Sequence, residues 1–130
     1  MTAHDKINQP ERSVSHAIIN GLRCKCPNCG ESSLFQGFTT VKNSCDNCSQ
    51  EFFHHRADDL PPYLIILIVG HVIISLLIVS MKYELFGIST TAIGGSMIAV
   101  IMALALMRPI KGMVVGIQWA LRMHGFDKSL

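Results

Sequence analysis

Residues 63–80 read YLIILIVGHVIISLLIVS, eighteen positions without a formal charge. At 1.5 Å rise per residue, a helix of that length covers about 27 Å, close to the ~30 Å hydrocarbon core of a bilayer. Ile65, Ile66, Ile68, Val69, Val72, Ile73 and Ile74 are β-branched and would suit a buried strand in water. Length decides for helix, because strands seldom run so far. Pro61 and Pro62 suit a first helical turn, and Asp58 and Asp59 stand just before it. A carboxylate there caps exposed N–H groups at the positive end of the helix dipole. The same pair also suits a partner's basic group at the membrane surface.

Residues 88–107, ISTTAIGGSMIAVIMALALM, form a second uncharged stretch of twenty positions, ended by Arg108 and Pro109. Only Met81 to Gly87 lie between the two spans, so they must form an antiparallel hairpin. Thr91, Gly95, Ala99 and Ala103 share one face of the second span, a small-residue stripe that lets another helix approach closely. That helix is either the other arm of the hairpin or a partner's. Met97, Met102 and Met107 are five residues apart and turn about 140° at each step, so they share no face and read as ordinary packing.

Composition agrees with a membrane chain. Of 130 residues, 49% are hydrophobic and 15% charged, against about 25% charged in soluble domains. That argues against an ordinary soluble enzyme and rules out a disordered tail. A net charge of +2 is too weak to make nucleic acid the main partner. Residues 1–20 read as a polar flexible tail, 21–57 as a cysteine-bearing module and 58–130 as the membrane region. No apolar segment begins near Met1, so no secretory signal peptide is expected.

Lysine and arginine bias sets the orientation. Lys82 stands alone in the short loop, whereas Lys42 and Arg56 precede the first span, and Arg108, Lys111 and Arg122 follow the second. Both termini are therefore expected in the cytoplasm. After Pro109 the pattern turns helical again over 110–123. Lys111, Gln118 and Arg122 form a narrow polar stripe on an otherwise apolar surface, which predicts an interfacial helix with Trp119 at headgroup level and Gly125 as its cap.

The strongest chemical signal is cysteine spacing. Cys26-Pro27-Asn28-Cys29-Gly30 and Cys45-Asp46-Asn47-Cys48 are two CxxC knuckles separated by fifteen residues. A two-residue spacer lets both thiolates of a knuckle reach one ion, and four thiolates close a tetrahedral zinc site that is structural rather than catalytic. The module is too small to bury a real core, so Zn²⁺ would supply its folding free energy. An iron–sulfur cluster accepts the same ligands. Residues 34–35, 38–41 and 51–53 suit short strands around the site. In a reducing cytoplasm, disulfides are disfavoured.

Cys24 is a fifth cysteine, either a spare thiol or an extra ligand that accepts or transfers a metal. His54 and His55 have little to add to a closed four-thiolate set. His71 is the ionisable residue in the middle of a span. It is either a neutral imidazole bonded to a partner helix or to Ser75, or a ligand for haem or copper, or a proton relay.

In order, CPNCG, LFQGF, CDNC, RADDLPPY, the IVGH of the first span and the ending MRPIKG…QWALRMHGFD resemble one short proteobacterial membrane family, catalogued as domain of unknown function nine-eighty-three. The likeness covers residues 21 to 127. Ser49 departs from it, since the second knuckle there often carries Gly. The resemblance implies Cys26, Cys29, Cys45 and Cys48 as ligands. It also contains Asp58, Asp59, His71, Arg108, Lys111, Gly112, Gln118, Trp119 and Gly125 without assigned roles. Relatives beside cytochrome c oxidase subunit and assembly genes imply a part in building a haem–copper oxidase at the bacterial inner membrane.

The expected architecture is an α-helical membrane protein: a small four-cysteine zinc ribbon, a two-helix transmembrane hairpin and an interfacial C-terminal helix. With no nucleophile–base pair, phosphate loop or open metal site in the sequence, an enzyme is not expected. Three readings remain. The first is an assembly or scaffolding protein with membrane-protein partners such as oxidase subunits or assembly factors. The second is a metal or haem handler using Cys24 and His71. The third is a membrane-tethered nucleic-acid binder. Against the third, residues 21–57 carry four basic residues and three acidic ones, a net of +1, although Phe35, Phe38, Phe52 and Phe53 could stack bases.

Overall fold

The computed structural model describes residues 11–52 and 60–123. Three helices carry the fold among them: α1 (Val14–Leu22), α2 (Leu60–Lys82) and α3 (Ile88–Ala120). Asp58 and Asp59, His54 and His55, and Gly125 lie outside the described residues.

The helices α2 and α3 form the expected antiparallel hairpin. Ile65 and Val69 of α2 pack with Ile110 of α3, flanked by Ile73, Ala99, Met102, Ala103 and Leu106. At the far end the Ser80 and Thr91 hydroxyls are 3.1 Å apart, one donating to the other. This register sets Tyr63 level with Arg108 and Ser80 level with Thr91, so the two uncharged stretches lie side by side. The small-residue stripe faces inward. Ala99 and Ala103 pack on the α2 residues, and the Cβ position of Gly95 stands 3.9 Å from Leu77. Of the two occupants left open for the stripe, the chain's own first span fills it.

Both helices are long and apolar enough to cross a membrane. Their outer faces, including Ile66, Leu67, Ile74, Ile78, Ile93, Met97 and Ile101, are exposed. The core helix of a soluble protein would have buried such residues, so the hairpin has the length and the outward apolar faces of a membrane-spanning pair.

Two features depart from the sequence expectation. Residues 14–20, read as a flexible tail, belong to α1, capped where the Ser13 hydroxyl accepts from the His16 N–H at 3.4 Å. The C-terminal helix is also not separate, because α3 runs unbroken through Pro109 for 33 residues, about 50 Å. Proline inside a helix costs about 3 kcal/mol through its missing N–H and a ring clash. Packing offsets that cost here, since beyond Pro109 the residues Val114, Val115, Trp119 and Ala120 are buried against α1 and the cysteine module. Gln118, expected on a water-facing stripe, is buried, and so is Trp119, expected among headgroups.

The contact between α1 and α3 is made by backbone. Ala17 and Gly21 on α1 meet Gly112 and Gly116 on α3. A Cβ on Gly116 would stand 2.5 Å from the Ala17 carbonyl oxygen. Arg12 then clasps the end of α3: its guanidinium donates to the Trp119 carbonyl at 2.7 Å and lies 4.5 Å from that indole's centroid.

Candidate metal centre

The centre is built from the end of α1 onward. The helix closes with the Lys25 N–H donating to the Asn20 carbonyl and the Cys24 N–H to the Gly21 carbonyl, both at 2.9 Å. Cys24 occupies the left-handed position of this Schellman motif, at φ +59°. The turn delivers the chain directly into the first knuckle.

The two knuckles repeat one geometry. The Gly30 N–H donates to the Cys26 carbonyl at 2.9 Å, and the Ser49 N–H to the Cys45 carbonyl at 3.0 Å. Gly30 and Ser49 both take positive φ, +69° and +58°, so Ser49 holds a conformation that glycine adopts more readily. The expected strands reduce to single antiparallel bridges, Lys25 with Ser33, Phe35 with Val41 and Ser44 with Glu51. Leu34, Phe35, Val41 and Phe52 are buried beneath them, in one cluster with Ala17 of α1 and Val114, Val115 and Trp119 of α3.

Cys26, Cys29, Cys45 and Cys48 bring their sulfurs within 4.8 Å of one another. The Cys26 and Cys48 sulfurs are 3.6 Å apart, and those of Cys29 and Cys45 are 3.7 Å apart. Four thiolates at about 2.3 Å from one tetrahedral ion are about 3.8 Å from each other, so this set fits a single metal ion. A cluster in which each iron takes its own thiolate would hold the sulfurs further apart. Cys26 and Cys45 are buried, and none of the five cysteines is in a disulfide.

Each knuckle supports the other's sulfur. The Asn28 amide donates to the Cys48 sulfur at 3.5 Å, and Asn47 hydrogen-bonds Cys29 in return. The Cys48 N–H also donates to the Cys45 sulfur at 3.5 Å. Burial pushes the Cys26 thiol well above the ordinary range, more than the Cys29 and Asn28 backbone N–H groups bring it down. Desolvation likewise raises Cys48, with the Cys45 thiol adding to it. At Cys29 desolvation is outweighed by the N–H groups of Glu31 and Ser32, with help from Asn47, and its pKa falls to about 6.

The fifth cysteine is not part of this set. Its position is explained by the helix-ending turn, a role that the CxC spacing did not reveal. His71 stands apart as well, exposed on α2 on the side opposite α3. Its Nδ1 lies 2.7 Å from the Leu67 carbonyl oxygen, which can only accept, so Nδ1 donates there and Nε2 has no partner among the described residues. Ser75 donates instead to the His71 carbonyl, at 2.8 Å. Gly112 and Gly116, missed as contacts in the sequence, have a signal there: a small-xxx-small pair matched by Ala17 and Gly21.

Residues 35–119 match the model of a family described as Protein of unknown function (DUF983), and the chain belongs to that family. The match takes in the second knuckle, both spans and α3 as far as Trp119. No curated protein and no solved structure matches the chain.

Proposed function

We propose that this DUF983 member is a non-enzymatic inner-membrane protein whose zinc-stapled ribbon, on the cytoplasmic side, serves as an assembly or scaffolding surface for a respiratory membrane complex. A haem–copper oxidase is the complex that the family resemblance implies. The observation that carries the reading is the shared core. Ala17 of α1, Leu34, Phe35 and Phe52 of the ribbon, and Val115 and Trp119 of α3 are buried in one cluster with Cys26 and Cys45. A metal closed in by four thiolates does no chemistry on a substrate. Its effect here is to hold a rigid body on the end of a membrane helix, as a docking surface requires. Zinc is the ion of choice, because it takes four thiolates tetrahedrally and without redox change.

The test is mass spectrometry of proteins retained with the tagged chain from mildly solubilised native membranes. Recovery of oxidase subunits or assembly factors is expected. Recovery of the chain alone, under conditions that preserve known complexes, overturns the reading.

One observation favours metal or haem handling as a second reading. The outward His71 offers its Nε2 to an iron or copper site completed by a partner protein. Cys24, a half-buried free thiol outside the four-sulfur set, is the other candidate ligand of this reading.

A further inference from the structure

Arg108 stands where the uncharged part of α3 ends, level with Tyr63 of α2. Tyr63 is exposed, and an exposed tyrosine at the end of an apolar span marks the headgroup zone. The Arg108 guanidinium therefore sits at lipid headgroup depth, with its Cζ 5.4 Å from the centroid of the Phe35 ring of the ribbon. Its Nε is buried without a hydrogen-bond partner. Among the described residues the ion pair is Lys42 with Asp46, which leaves Arg108 without a carboxylate. Lys111, one turn further along α3, adds a second positive charge at the same boundary.

The ribbon meets this cation with a loop. Phe35 pairs with Val41, and the Gln36 N–H donates to the Thr40 carbonyl at 3.0 Å, closing a turn with Phe38 at its tip. Phe35 and Phe52 are buried, whereas Phe38 is 54% exposed. Three residues of chain keep Phe38 within about 10 Å of Phe35, the ring beneath Arg108. An exposed aromatic ring thus stands three residues along the chain from the ring beneath Arg108, an arginine without a carboxylate partner among the described residues.

We propose that Arg108 and the Phe38 loop form a binding site for an anionic phospholipid. The guanidinium pairs with the headgroup phosphate, Lys111 contributes to its field, and the Phe38 ring lodges among the upper acyl chains. The ribbon is then held against the bilayer as well as against α3.

The test uses the full, metal-loaded chain in bilayers of mixed phosphatidylglycerol and phosphatidylcholine. Native mass spectrometry of the released protein should find phosphatidylglycerol retained preferentially. Arg108→Gln should lower that retention at least fivefold, Arg108→Lys should lower it less, and Arg23→Gln, at an exposed position on the ribbon, should not change it. Equal retention of the two lipids, or no loss with Arg108→Gln while metal content stays intact, overturns the site. A second readout does not depend on Arg108. Trp119 is the chain's single tryptophan and is buried. Wild-type fluorescence should therefore resist quenching by lipids brominated near the headgroup, while Phe38→Trp adds emission that is quenched. Added emission that brominated lipid leaves untouched places the loop away from the bilayer and refutes the proposal.

Discussion

Gly21 and Gly112 touch through their backbones: a Cβ on Gly112 would stand 2.1 Å from the Gly21 carbonyl oxygen, and one on Gly21 would stand 2.3 Å from the Gly112 carbonyl oxygen. Neither atom belongs to a side chain that can swing away, so the helices would have to separate. Separation would uncover Val114, Val115 and Trp119 and loosen the ribbon that shares their cluster. Gly112→Ala is expected to destabilise the ribbon side by about 3 kcal/mol, the upper range for overpacking a well-packed contact. Gly94 lies in the same helix with open space around its Cβ position. Gly94→Ala should be neutral or stabilise by up to about 1 kcal/mol through helix propensity. Limited proteolysis of the ribbon, read for both variants, separates a specific contact from a general sensitivity of α3 to alanine.

Ser49 and Cys24 make a second, independent pair of tests. Both are non-glycine residues in the left-handed region, where an L side chain costs roughly 1–2 kcal/mol. Ser49 is exposed, so Ser49→Gly loses little packing and should raise the midpoint of metal-dependent unfolding by an amount equivalent to about 1 kcal/mol. Cys24→Gly should keep one metal per chain, because its sulfur is outside the four-sulfur set. Cys29→Ser and Cys48→Ser should lose the metal and lower protein levels. Elemental analysis of the four purified variants gives the result, and loss of metal from Cys24→Gly would return the fifth cysteine to the ligand set.

Metal uptake should release protons in a way the thiol environments dictate. Cys26 and Cys48 are raised by burial and hold their protons at neutral pH, whereas Cys29, brought to about 6, is already largely ionised. Binding at pH 7 therefore expels at least the two protons of Cys26 and Cys48, and apparent affinity should strengthen about 100-fold per pH unit from those two alone. As pH falls through about 6, Cys29 also takes up a proton and the dependence steepens. The same depressed value favours the metal-free fold above the ordinary thiol range, and that contribution is lost as pH falls through about 6. Calorimetric titrations in two buffers of different ionisation enthalpy count the protons released. Fewer than two at pH 7 would contradict the thiol environments described here.

The hairpin and the clustering of the four cysteines were legible in the sequence because their signals are local. Eighteen uncharged residues from Tyr63 leave few alternatives to a membrane helix, and a CxxC spacing brings two sulfurs together whatever surrounds it. The errors arose where distant segments decide. Pro109 reads as a helix end, and the helix continues only because α1 and the ribbon bury Val114, Val115 and Trp119 beyond it. Residues 14–20 look like a polar tail when judged by composition. Yet Val14, Ala17, Ile18, Gly21 and Leu22 recur at helical spacing, and Ala17 with Gly21 matches Gly112 with Gly116 almost a hundred residues away. Neither small-residue pair has meaning until the other is set against it.

His71 gives the prediction that bears most directly on partners. The α2 residues that pack on α3 are Ile65, Val69 and Ile73, and at 100° per residue His71 falls on the far side of the helix. It lies about 12 Å below the level of Tyr63, deep in the apolar span, with Nε2 unbonded among the described residues. Intramembrane polar groups almost always turn toward protein or water, so this outward ring nitrogen points to contact with another chain. His71→Leu should therefore leave insertion and ribbon metal content unchanged, because neither depends on that face. The same change should reduce recovery of the partner complex, and haem content should fall with it if the partner's site takes the imidazole as ligand. Reporter fusions after Leu130 and at Lys82 serve as the insertion control, with the Leu130 fusion expected in the cytoplasm and the Lys82 fusion across the membrane. Unchanged partner recovery with both reporters in place would mean that His71 meets only lipid.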